Sequence, residues 1–271
     1  MPATLYLVAT PIGNLEDITL RALRVLREAD LIACEDTRHT GKLLGHFGIA
    51  DKPTVSYHEH NEAARTAELI AKLESDVTIA LVSDAGTPLV SDPGYRLVTA
   101  AIAAGIPVVP VPGASAVLGA LAAAGLPTEA FRFCGFLPAK TGQRKKTLEA
   151  LRGEDCTMIF YEAPHRILDT LSDLSAVYGE RPVVVARELT KLHEEFLRGT
   201  ADEVRSQLAG RASVKGEITL LIGKGSPVIA ATPVEAAVRE LEQKGIPRMD
   251  AIKQVARERG LSKRQVYKQV T

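Results

Sequence analysis

Tryptophan is absent from this 271-residue chain, and all aromatic residues together make up 4% of it. Gripping nucleic acid by stacking many bases needs an aromatic platform, so extensive base stacking is excluded. An excess of one charge is also lacking. The 33 Lys and Arg balance 33 Asp and Glu, and no global field marks a polyanion or a membrane as partner. Cysteine is scarce: Cys34, Cys134 and Cys156 lie far apart, with no CxxC pair. They propose neither a disulfide framework nor a metal site. The most apolar stretch, 99–127, is punctuated by Gly105, Pro107, Pro110, Pro112 and Gly113, so it cannot be an uninterrupted spanning helix. The start, MPAT, has no basic region of the signal-peptide kind. A reduced, soluble, cytoplasmic protein of one large or two medium domains is expected, with no membrane contact.

What is present alternates. Short apolar runs at 5–9, Leu31–Cys34, 54–57, 77–82 and 107–111 read as strands, with helical patterns such as 20–29 and 63–74 between them. Nearly continuous apolar strands separated by helices predict a parallel sheet covered on both faces. The pattern resets near 112–127. Strands then follow at 131–135, 157–161, Val183–Arg187, Glu195–Gly199 and 217–222, with helices at 147–152, 165–178 and 202–209. The last strands lack long helices between them, which predicts a mixed sheet. The stretch 223–233 reads as a linker, and the tail carries only helical patterns. The expected domains are 1–113, 114–225 and 232–271.

Three loops follow strands of the first series. "SDAGTPLVSDPG" (83–94) offers carboxylates and hydroxyls but no basic residue. That set suits sugar hydroxyls, an ammonium or another cation better than phosphate. Asp84 reads as functional. Asp92-Pro93 also fits a helix N-cap followed by proline at the first helical position. "ATPIGNLEDIT" (9–19) makes a tight turn but lacks GxGxxG spacing, so a dinucleotide fold is not supported. "VPGASA" (111–116) permits close backbone approach to a flat ligand, or lets Ser115 cap the next helix. The tail 251–271 sets six Lys and Arg against one Glu, a net of +5. "VARERGLSKRQVYK" has the form of helix, glycine turn, serine cap and second helix. Its bland counterpart is a solvated amphipathic pair.

The segments "LYLVATPIGNLEDIT", "ACEDTRHT", "SYHEHNE", "LVSDAGTPLVSDPGYRLV", "VPGASA", "CGFLP", "FYEAPHRI", "ARELTKLHEEFLRGT" and "KGEITLLI" occur in this order from Leu5 to Ile222. Together they resemble the tetrapyrrole methylase superfamily, and within it the branch that 2′-O-methylates a cytidine ribose of 16S rRNA. The resemblance implies two α/β domains of tetrapyrrole-methylase type with a ligand cleft between them, plus a small C-terminal helical domain of helix-turn-helix type. It implies S-adenosyl-L-methionine as cofactor, the small ribosomal subunit as partner, and a homodimer. Donor contacts carried over by position are Pro11, Ile12, Asp84, Ala85, Gly86, Thr87, Ser115, Ala116, Tyr161, Glu162, Arg187 and Glu217.

Displacing methyl from a sulfonium by a ribose hydroxyl benefits from alignment and from a general base. Glu35, Asp36, Arg38 and His58 are the candidates. "EDTRHT" supplies two carboxylates, Arg38 and His39, and Arg38 reads either as a phosphate or substrate contact or as half of an ion pair. "HEHN" supplies two imidazoles that share a face if extended. Too few ligands of recognisable spacing accompany them for a metal site, and none is expected. Pro164 of "EAPHR" marks a helix start. Lys253, Arg257, Lys263, Arg264 and Lys268 of the tail, with Lys140, Arg144, Lys145 and Lys146 after "CGFLP", are the expected RNA contacts. A tetrapyrrole methylase would leave both basic clusters without a role. A ligand-sensing nucleic-acid-binding regulator would not need so many polar loops at strand ends.

Overall fold

The apolar runs form two five-stranded sheets. The structure is a computed structural model and describes residues 3–225, 233–258 and 261–270. In the first sheet, β1 (Leu5–Val8), β2 (Leu31–Cys34), β3 (Thr54–Ser56), β4 (Ile79–Val82) and β5 (Val108–Val111) lie in the order β3-β2-β4-β1-β5. Every pairing is parallel, with Leu5 opposite both Ile79 and Val108. Four helices cover it: α1 (Leu20–Glu28), α2 (Thr37–His46), α3 (Glu62–Glu74) and α4 (Tyr95–Ala103). Successive residues of a strand face opposite sides. Ala80 and Val82 pack with Val25 and Leu26 of α1, and Ile79 and Leu81 pack with Leu69 of α3 and Leu97 of α4. Each fully buried Leu, Ile or Val contributes about 1.5–3 kcal/mol.

The next helix, α5 (Ala116–Ala124), packs under the second sheet, where Val117, Ala120 and Leu121 meet Ile159, Val184 and Leu221. That half runs β6 (Phe131–Phe136), α6 (Thr141–Ala150), β7 (Thr157–Glu162), α7 (Ile167–Tyr178), β8 (Val183–Arg187), β9 (Glu195–Gly199), α8 (Ala201–Ala209) and β10 (Ile218–Ile222). Its order is β6-β7-β10-β8-β9. β6 pairs parallel with β7. β10 runs antiparallel to both β7 and β8, and β9 antiparallel to β8. The sheet is mixed, as its short connections required. Leu148, Leu171, Leu174 and Val204 of α6, α7 and α8 fill its other face.

The tail forms α9 (Val234–Gln243), α10 (Arg248–Glu258) and α11 (Lys263–Gln269) around its own core of Val238, Ile252, Val255 and Val266. Ser262 caps α11, and Gln265 reaches back to complete a capping box. The expected linker 223–233 falls largely, and the glycine of the tail turn wholly, outside the described residues. Among the described residues no helix is long and apolar enough to cross a membrane.

Several helix starts differ from the sequence expectation. The sequence pattern does not predict α2, because Gly41 and Gly45 dilute it, although Asp36 supplies a plain N-cap by accepting from Arg38 N–H. α4 begins at Tyr95 after Gly94, not at Pro93. α6 begins at Thr141, six residues ahead of the expected 147, and α7 begins at Ile167, beyond Pro164.

Candidate active site

β4, β1 and β5 are neighbours in the first sheet, so the loops after them leave from adjacent carboxyl ends. In open α/β sheets ligands bind outside such ends. Thr10 and Gly86 exchange backbone hydrogen bonds of 2.9 and 3.1 Å, and the Thr10 hydroxyl donates to the Ser83 carbonyl at 3.0 Å. Gly113 sits so near Ala9 that an added Cβ would lie 2.9 Å from the Ala9 Cβ. Gly86 has φ +86°, and a Cβ there would lie 3.2 Å from Ile12. Leu89 and Ser91 hold φ of 72° and 64°, uncommon for residues with side chains. Strain of this kind collects at ligand clamps.

These loops and the second sheet enclose a cavity of about 410 Å³, within the range of small-molecule sites. Ile12, Asp84, Ala85, Gly86 and Thr87 line it from the first half, Ser115 and Ala116 from the start of α5, and Tyr161, Glu162 and Glu217 from the second sheet and its loops. Val90, Asp92, Phe136, Leu189 and Gly216 join them; of these the sequence pattern marks only Asp92, as a cap. Phe136 lies edge-on to Tyr161 at 5.6 Å. An exposed aromatic closing a strand of "CGFLP" was the available signal. Among the described residues no Lys, Arg or His lines the cavity.

Asp84 accepts from the Asp36 N–H at 3.2 Å, which fixes its carboxylate at the rim. Asp92 does not cap α4. It accepts from the Ser83 hydroxyl at 2.7 Å, and burial, reinforced by Asp84, pushes its carboxyl up. Burial and then Asp84 and Asp92 likewise raise Glu35, against the lowering pull of His58. Burial also raises the Tyr161 hydroxyl. Ser115 caps α5, accepting from the Leu118 N–H at 3.4 Å, while still lining the cavity.

Other expected contacts are placed differently. Pro11 lines a neighbouring cavity and not this one. Arg187 lines neither, because it is ion-paired with Glu195 and donates to the Lys215 carbonyl at 2.9 Å. Glu162 is buried, and its carboxylate is occupied by the Ala163 N–H, Arg166 and the Thr170 hydroxyl. Only its position, not a free carboxylate, is offered to a ligand. Arg38 is 87% exposed and forked onto Asp36 at 3.1 and 2.7 Å. The ion-pair alternative for Arg38 is the one seen, and it holds Asp36 far below the usual carboxylate range. His58 does not lie on an extended strand with His60. It sits in the turn leading to α3, with Asn61 Nδ2 at 3.1 Å from Nε2 and Nδ1 buried without a partner among the described residues.

The largest correction concerns Arg144. It is buried on α6, with Nε and Nη2 at 2.7 and 2.6 Å from Asp173 of α7 and Nη1 donating to the Ala139 carbonyl at 3.1 Å. It cannot reach RNA. Lys145 lies 3.4 Å from the same carboxylate and is half exposed, while Lys140 and Lys146 are exposed. Lys263, Arg264 and Lys268 lie exposed on α11. On α10, Arg257 is also exposed, and Lys253 pairs with Asp250. No group of three or more His, Cys, Asp and Glu among the described residues is placed to hold a metal ion.

The sequence matches the Tetrapyrrole (Corrin/Porphyrin) Methylases over residues 4–205. It is 53% identical over 272 residues to the ribosomal RNA small subunit methyltransferase I of Halalkalibacterium halodurans, covering 97% of this chain and 93% of that one. It is 50% identical over 268 residues to the protein of the same name from Synechocystis, covering 97% and 95%. A uroporphyrin-III C-methyltransferase of Thermus thermophilus, solved in complex with S-adenyl homocysteine, shares the fold at a TM-score of 0.55 and 21% identity, covering 82% of this chain and 97% of that one. With its two sheets, its strand-end cleft and these relatives, the chain belongs to the tetrapyrrole methylase family, in the group of ribosomal RNA small subunit methyltransferase I.

Proposed function

We propose that the chain transfers a methyl group to the 2′-hydroxyl of a cytidine in 16S rRNA of the small ribosomal subunit, in the cytoplasm where subunits are made. It is an S-adenosylmethionine-dependent methyltransferase. The observation that carries the site reading is the sign of the cavity, which presents Asp84, Asp92 and Glu217 and, among the described residues, no basic side chain. S-adenosylmethionine, when bound, supplies a methyl group made electrophilic by its sulfonium. A cationic donor with an ammonium and ribose hydroxyls fits such a wall, whereas a phosphate-bearing cofactor does not. Gly86 fits too, since its missing Cβ and positive φ let backbone stand at the wall.

Within this reading Asp84, Ala85, Gly86 and Thr87 hold the donor's polar groups, and Tyr161 and Phe136 cover its flat portion. Positioning the acceptor hydroxyl in line supplies much of the rate. Glu35 lines neither cavity but stands close enough to Asp84 and Asp92 for their charges, after burial, to raise its carboxyl, which makes it our candidate to accept the hydroxyl proton. The basic tail and the exposed Lys140 and Lys146 grip RNA phosphates. A tetrapyrrole acceptor would leave those cations without a role. We assign the homodimer contact to exposed large apolar side chains of this half, Leu118 on α5 and Phe131 on β6.

Calorimetric titration of S-adenosylmethionine tests the donor site. Losing a hydrogen bond to a charged group costs about 1.5–3 kcal/mol, so Asp84→Asn weakens binding by about 10–100-fold. Unchanged affinity would remove Asp84 from the donor site.

A further inference from the structure

A second cavity of about 320 Å³ adjoins the first and shares Ile12, Asp84, Ala85 and Glu217 with it. The two differ in charge. Among the described residues the donor cavity has no basic side chain, while the second presents His39, Lys42 and Lys191. Lys191 is committed: its Nζ lies 2.9 Å from Glu188 and 3.0 Å from Glu217. It also packs where a Gly13 Cβ would stand 2.5 Å from its Cγ, so it forms wall more than contact. Lys42 and His39 have no ion-pair partner among the described residues, and both are exposed. They stand three residues apart on α2, so one helix face presents both. With Leu43 they line the cavity from that side.

We infer that this second cavity is a subsite for a backbone phosphate of the acceptor RNA strand, held by Lys42 and His39. The inference rests on the ribose-methylation reading and deepens it. A Lys ammonium and an imidazole N–H suit phosphate oxygens, and the anionic donor wall repels them. A phosphate on the cationic side leaves its ribose at the shared wall of Ile12, Asp84 and Ala85, beside the donor cavity. This replaces Arg38, which is bound to Asp36 and lines neither cavity.

The test compares wild type with Lys42→Ala, Lys42→Glu, Lys42→Arg and His39→Ala, using small ribosomal subunits that lack native modification. Subunit binding and methyl transfer are read separately, and S-adenosylmethionine affinity is read by calorimetry. Lys42→Glu is expected to weaken subunit binding about tenfold, and Lys42→Ala several-fold, with the plot of log affinity against log salt flattened by about 0.7–1. Lys42→Arg restores most of the affinity, and donor affinity stays within about twofold of wild type. Subunit affinity and salt slope unchanged in Lys42→Glu would overturn the inference. A parallel loss of donor affinity would overturn it too, because the cavity would then belong to the donor. Wild-type protein that binds subunits but transfers no methyl would instead overturn the functional reading, and the binding comparison would still decide the subsite.

Discussion

Replacing Arg144 by Met separates a structural cation from an RNA contact. The side chains of Arg144 and Asp173 are 2% and 7% exposed. Methionine fills similar space but strands the Asp173 carboxylate, the Ala139 carbonyl and the Thr141 hydroxyl, all of which Arg144 now satisfies. Removing one partner of a buried ion pair costs about 3–5 kcal/mol. Lys145, 3.4 Å from Asp173 and half exposed, swings in and offsets part of this, which places the loss near 3 kcal/mol. For a chain of this size each kcal/mol moves the melting temperature by about 2–4 °C, so a drop of about 6–12 °C is expected in scanning calorimetry. Adding Asp173→Leu removes the stranded charge and recovers most of that drop. RNA affinity of the folded single variant, measured by filter binding well below its melting temperature, stays at the wild-type value. Wild-type melting combined with weakened RNA binding would refute the reasoning.

Gly86→Ala forces a side chain into positive φ against Ile12. It should destabilise the protein by about 1–2 kcal/mol and weaken donor binding in the same calorimetric titration. The Arg211 guanidinium, and after it Arg187, holds Glu195 down to about 2. A carboxyl lowered by folding stabilises above its unfolded value, near 4.5, and loses that contribution as pH falls toward 2. The melting-temperature deficit of Glu195→Gln should therefore be full at pH 6 and close as pH drops through that window. Deleting 232–271 removes helices that keep a separate core. Donor affinity should survive the deletion, while filter binding to rRNA falls and flattens in its salt dependence.

Both sheets were legible because their strands are apolar and short, and because a parallel sheet buried on both faces leaves little room for polar residues. The donor loops were legible for a related reason: Asp84, Gly86 and Ser115 stand where strands end, and polar or glycine residues there interrupt an apolar pattern. What escaped was pairing across the fold. Nothing local in "GQRKK" tells Arg144, which faces α7, from Lys146, which faces water, because Asp173 is 29 residues away. Asp92 followed by Pro93 carries a helix-start signal, yet the Ser83 hydroxyl nine residues earlier takes its carboxylate. Arg38 and Lys42 share one basic helix. Which of them lines a cavity was fixed by Asp36 and by the loop of Ile12 and Gly13, and neither is visible in helical spacing.

The most direct measurement is transfer of labelled methyl from S-adenosylmethionine to small ribosomal subunits lacking native modification, followed by nuclease digestion and mass spectrometry of the nucleosides. The account predicts labelled 2′-O-methylcytidine with the wild-type protein, and its loss with Asp84→Ala. Label on another nucleoside, or on a tetrapyrrole offered in place of RNA, would contradict it.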